Sequence, residues 1–203
     1  MEESTSNSSE QLISFTRQQL HLLSQKPLSF ERNFEAIGYI TACLRHAGIQ
    51  PIVVGGQAVE LYTFSNYTTV DVDFVLNGYE MAGNIFESIG FIPKGAGQRH
   101  WYHPELDLPI EIPDSVLFGS TEKVNEISIN DVSVFVIGIE DLILDRLRAG
   151  VHWNSNSDRE LAEYLLDAYN GKLDIDYMDK QASSIENQVL DAWSQLKSKY
   201  NVK

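Results

Sequence analysis

Residues 53–58, Val53-Val54-Gly55-Gly56-Gln57-Ala58, end an apolar run on two adjacent glycines. Residues 69–76, Thr69-Val70-Asp71-Val72-Asp73-Phe74-Val75-Leu76, set two carboxylates one residue apart inside another apolar run. The second run has the β-branched content of a strand. Side chains at i and i+2 of a strand share a face. Asp71 and Asp73 are therefore expected to project together, with Val70, Val72 and Phe74 turned to the core. Two carboxylates so close repel, and burying either unpaired raises its pKa or costs stability. An edge strand with both aspartates in water is one resolution. A divalent cation is the other, and Mg²⁺ prefers one or two carboxylates completed by water and substrate phosphates.

The glycine pair bears on that choice. An apolar strand that ends in Gly55-Gly56 and opens a helix points backbone N–H groups at an anion, and glycine lets a phosphate approach the backbone closely. Gln57, next in the same turn, joins the glycines as a nucleotide-binding candidate. Taken alone, Gly-Gly is equally a tight turn. Together with Asp-x-Asp on the next strand it describes a site for a nucleoside triphosphate and Mg²⁺ or Mn²⁺. A third carboxylate is expected from a neighbouring strand. In Leu106-Asp107-Leu108-Pro109-Ile110-Glu111-Ile112, Glu111 alternates with Ile110 and Ile112 and so faces away from the core. Asp107 shares its parity and is the alternative.

The rest of the chain supplies the frame. Its 203 residues suit one core domain with a helical appendage, and 43% hydrophobic and 22% charged residues are ordinary for a globular protein. The acidic, serine-rich residues 1–10 are expected to be a disordered tail. Residues 11–48 read as N-terminal helices: Pro27 ends the first, Ser29 caps the second, and Gly48 stops it. An α/β (α+β) core with a mixed sheet is expected over residues 49–138. It contains strands near 51–54, 70–76, 91–92, 98–103 and 108–112, and a hairpin over 124–137 around Asn130-Asp131. Helices are expected at 57–62 and 79–89. Residues 139–203 read as a helical C-terminal region, clearest at 140–149, 158–169 and 185–196.

Charge and cysteine usage narrow the partners. A net charge of −14, with only 15 Lys and Arg spread along the chain, disfavours a general nucleic-acid coat. The single cysteine, Cys43, excludes an internal disulfide framework and reads as a buried thiol. No stretch approaches a membrane span, and the start is unlike a signal peptide, so a cytoplasmic location is the default expectation. Lys94 and Arg99 flank a glycine-bearing loop and are candidates to neutralise triphosphate charge. The same segment, with His100 to His103, also reads as an ordinary hairpin. His152-Trp153 reads as a helix-terminal packing motif, or else as the lining of an acceptor cleft.

The pattern Val54-Gly55-Gly56, Asp71-Val72-Asp73 and a single later acid resembles the nucleotidyltransferase superfamily related to DNA polymerase beta. The run Glu140-Asp141-Leu142-Ile143-Leu144-Asp145-Arg146-Leu147 resembles its minimal, AbiEii-like branch, found in bacterial toxin–antitoxin and abortive-infection systems. The resemblance spans about residues 52–166. It implies a transferase in which Gly55 and Gly56 hold the triphosphate and Asp71 and Asp73 bind two metal ions. Glu111 would complete the metal set and help activate the acceptor, and Arg146 is the nearest match to the branch's basic residue. The reaction implied is transfer of a nucleoside monophosphate to a hydroxyl or phosphate, with pyrophosphate released; the acceptor would be a small molecule, a protein or a tRNA end, with a cognate partner protein where the system is of toxin–antitoxin type. The alternative is a catalytically inactive nucleotide-binding or protein-interaction module on the same fold.

Overall fold

The computed structural model describes residues 2–63, 67, 69–95, 97, 99–184 and 188–201, with side chains from residue 7 onward. Two helices lead: α1 (Glu2–Ser24) and α2 (Phe30–His46). Ser29 caps α2 by accepting the Arg32 N–H, and Gly48 leaves it at φ +79°. Then β1 (Ile52–Val54) runs directly into α3 (Gly55–Thr63), followed by β2 (Val72–Val75) and α4 (Tyr79–Ser88). A meander of β3 (Ile92–Pro93), β4 (His100–His103) and β5 (Leu108–Glu111) precedes the hairpin of β6 (Asn125–Ile129) and β7 (Val132–Val136). Four helices close the chain: α5 (Ile139–His152), α6 (Asn156–Ala168), α7 (Ile175–Ala182) and α8 (Leu190–Tyr200).

The strands form one mixed sheet in the order β3-β4-β5-β2-β1-β7-β6. β2 is antiparallel to β1 and parallel to β5, while β1 is parallel to β7. Strands give way to helices at Gly138, the N-cap of α5. Val53, Val72, Phe74 and Val134 are fully buried from the sheet, and Phe34, Ile37, Ile40, Leu142 and Leu144 meet the same core from α2 and α5. Cys43 is buried, with its thiol donating to Thr16 Oγ1, and burial pushes its pKa up.

Two expectations need correction, and two stretches of the helical C-terminal region are refined. Residues 2–10 of the stretch read as a tail lie within α1, and Ser9 Oγ is hydrogen bonded to His46 Nε2 at 3.0 Å. The buried Leu20 and Leu23 anchor this helix to the core, and extending an established helix by further residues costs little even through a polar stretch. Val70 is 70% exposed, because β2 begins only at Val72. The polar helix α7 was not anticipated; Asp174 caps it, and it buries only Met178 and Ala182. In the helix expected over 185–196, residues 185–187 lie outside the described residues, and α8 starts at Leu190.

Candidate active site

The in-register pairs place His100 of β4, Glu111 of β5, Asp73 of β2 and Val54 of β1 in one row across four adjacent strands. Paired residues on neighbouring strands project to the same face, with Cβ atoms about 5 Å apart. The row therefore sets the Asp73 and Glu111 carboxyls side by side, and His100 Nδ1 lies 3.9 Å from Glu111 Oε2. Alternation along the strands predicts the faces of Asp73 and Glu111; the register supplies their adjacency. Asp107 sits four residues before Glu111, about 13 Å along a strand. It occupies the β4–β5 turn at φ +52° and accepts the Tyr102 hydroxyl at 2.7 Å.

Gly55 joins the row at its end. Its φ is +62°, and a Cβ built there would stand 2.1 Å from Asp73 Oδ2. Asp73 also accepts the Gly56 N–H at the start of α3. The glycine pair and the Asp-x-Asp motif thus meet in direct contact: the first anion at this helix N-terminus is the protein's own carboxylate. Asp73 is pushed up to about 6, mainly by burial, then by the charges of Glu111 and Asp71. Arg146 and the Gly56 N–H oppose that rise. Asp71 stands just before β2 and is exposed, close enough to act on Asp73 through its charge.

The row opens into a cleft of about 950 Å³. Val54, Gly55, Asp73 and Glu111 line its base, residues 113–119 supply a loop wall, and α5 contributes Asp145, Arg146 and Arg148. Arg146 is held by Asp145 at 2.6 Å and Asp158 at 2.8 Å. Burial works against its charge, but these two carboxylates and Asp73 keep it firmly protonated. Arg148 lies over the Phe118 ring at 4.7 Å.

Not every sequence candidate reaches the cleft. Gln57 is buried, and its amide donates to Glu60 Oε2 at 3.0 Å, inside α3 rather than toward a ligand. Lys94 rests over the Tyr102 ring at 4.9 Å, outside the cleft lining. Arg99 lies over Tyr79 and donates to the Pro113 carbonyl at 2.8 Å, bracing the loop wall from behind.

The loop wall depends on a residue that motif reasoning left without a role. Asp141 is fully buried in the first turn of α5, where it accepts the Ser120 N–H at 3.0 Å and the Tyr177 hydroxyl at 2.6 Å. Burial raises its pKa, against those two hydrogen bonds. Gly119 lies against it at φ +105°, where a Cβ would fall 2.1 Å from Asp141 Cγ. Acidic residues in a helix's first turn are common, so only the tertiary contacts distinguish this one.

No family model matches the chain, and no curated protein matches its sequence. A solved structure does: an antigenic nucleotidyltransferase-like protein from Paracoccidioides brasiliensis, 15% identical, aligns over 85% of this chain and 95% of its own, with a TM-score of 0.58. The two chains share a fold. The shared fold agrees with the mixed α/β sheet expected from the sequence. No helix among the described residues is long and apolar enough to cross a membrane.

Proposed function

We propose that the chain is a metal-dependent nucleotidyltransferase whose reaction takes place over Asp73 and Glu111. The observation that carries this reading is the register of β2 and β5, which puts two carboxyls side by side at the base of a large cleft. The shared fold with a nucleotidyltransferase-like protein supports it.

Hard oxygen donors beside phosphate-sized space suit Mg²⁺ or Mn²⁺. Among the described residues, no group of three or more His, Cys, Asp or Glu is arranged to hold a metal. Asp73 and Glu111, adjacent in the sheet, form the core of the proposed metal site, with Asp71 nearby as an outer carboxylate. Such an ion would supply charge stabilisation for the phosphoryl oxygens. The backbone at Gly55 and Gly56 would border the triphosphate. In the reaction, an acceptor hydroxyl oxygen bonds to the α-phosphorus while the bond from that phosphorus to the bridging oxygen breaks, releasing pyrophosphate. Glu111, half-exposed at the cleft, takes the hydroxyl proton.

The acceptor is proposed to be a small molecule, a protein or a tRNA end. A toxin–antitoxin type role with a cognate partner protein is the finer part of the proposal, and it rests on the resemblance of residues 140–147. A second reading, nucleotide binding without turnover, is favoured by one observation: Asp145 and Asp158 already occupy the Arg146 guanidinium.

Incubation with α-labelled nucleoside triphosphates, Mn²⁺ and candidate acceptors separates these readings. Transfer of label with pyrophosphate release, lost about 100-fold or more in Asp73→Asn and Glu111→Gln, is expected for the transferase. Binding that both substitutions abolish, with no release, selects the second reading. No metal-dependent binding by the wild type defeats both.

A further inference from the structure

The most exposed large apolar side chain among the described residues is Trp153, at 81%, and it lines the same cleft as Asp73 and Glu111. Of the two readings of His152-Trp153, helix-terminal packing and the lining of a cleft, the Trp153 side chain does not follow the first. Instead only its backbone is tied down, with the N–H donating to the Ala149 carbonyl at 2.9 Å. Val116, 72% exposed, faces the cleft from the loop wall, next to Leu117 and Phe118. The cleft therefore has carboxylates at its base and apolar surface from α5 and the loop.

We propose that Trp153 is the platform on which the base of the bound nucleotide stacks. The inference rests on the nucleotide reading of the Asp73–Glu111 cleft. The ligand class follows from what α5 presents within five residues. Arg148 offers a cation that, among the described residues, forms no ion pair, and Trp153 offers a planar aromatic face. A ligand that joins a polyanion to a planar ring satisfies both. The acid-rich lining (Asp73, Glu111, Asp114 and Asp145) repels an anionic ligand that arrives without a divalent cation. A cleft of about 950 Å³ lies at the upper end of the range for small-molecule sites, enough for a nucleotide together with an acceptor. Because the α5 hydrogen bond already fixes the Trp153 backbone, stacking has only the indole rotamer to order. Stacking also accepts any base, since every base has a π-face.

The test uses the intrinsic fluorescence of the full chain. Trp101 and Trp193 are 2% and 1% exposed, so acrylamide-accessible emission comes from Trp153. Two probes are titrated with Mn²⁺: ATP, and inorganic tripolyphosphate, which has no base. ATP is expected to shield Trp153 from acrylamide, whereas tripolyphosphate binds without shielding. Trp153→Ala should weaken ATP by about 5- to 150-fold while leaving tripolyphosphate affinity unchanged. Trp153→Phe should retain most of the ATP affinity, and Glu111→Gln should lose both probes. Equal ATP affinity in wild type and Trp153→Ala overturns the stacking role and leaves the metal and phosphate reading standing. Failure of the wild type to bind either probe overturns both. Shielding that grows with protein concentration in the absence of ligand also overturns the inference, assigning Trp153 to contact with a second copy of the chain.

Discussion

At Gly55 any side chain would run into Asp73: the added Cβ would lie 2.1 Å from a carboxyl oxygen, on a backbone at φ +62°. Gly55→Ala is therefore expected to destabilise the protein by about 1–3 kcal/mol, read as a lower urea midpoint at unchanged slope. An unchanged midpoint would mean that the carboxyl is free to swing away. Asp73 itself carries a pH signature. Its folded pKa, about 6, lies above the ordinary 3.8, so between those values the native state holds more proton than the unfolded chain. Stability from this group is full below about pH 4 and falls as pH rises toward 6, leaving a residual cost above that. Asp73→Asn keeps an acceptor for the Gly56 N–H and removes the charge. In EDTA it should raise stability at pH 7.5 by on the order of 2 kcal/mol, with the gain vanishing near pH 4. Thermal melts at the two pH values check this, and an equal gain at both would refute the burial argument. The face of Asp73 was legible from alternation alone. Its contact with Gly55 was not, because the two residues lie on different elements.

At the scale of elements, the loop over residues 113–120 forms one wall of the cleft, and Asp141 of α5 anchors its end. Asp141→Ala would leave the Ser120 N–H and the Tyr177 hydroxyl without their acceptor. It should cost about 2–4 kcal/mol and speed amide exchange at Ser120. Tyr177→Phe removes only one of the two hydrogen bonds, so a loss of about 1 kcal/mol is expected. If both variants melt together with the wild type, the loop is held by other contacts. The central strands and amphipathic helices of this chain were readable from periodicity, because they bury apolar faces in the core, as β2 and β7 do. The polar α7 and the start of α1 were not, since their position depends on partners distant in sequence, such as Met178 in the core and Ser9 against His46.

Over the whole molecule, the net charge of −14 coexists with a cleft whose base carries two adjacent carboxyls. Mn²⁺ or Mg²⁺ should raise the melting temperature along a saturating curve, as any ligand of the native state does. That response should disappear in the Asp73→Asn, Glu111→Gln double variant. An identical shift in the double variant would point to diffuse screening of surface carboxylates instead.

By itself the sequence determined the mixed α/β class, most element positions, and the faces of Asp73 and Glu111. Those properties follow from local periodicity and turn chemistry, which a linear pattern records. The tertiary structure alone decided which candidates share a cleft. Strand order and register brought Asp73, Glu111 and Gly55 together, turned Gln57 inward, and left Lys94 outside. It also exposed Trp153, because a helix end can pack or project according to what lies opposite it, and no residue spacing encodes that neighbour.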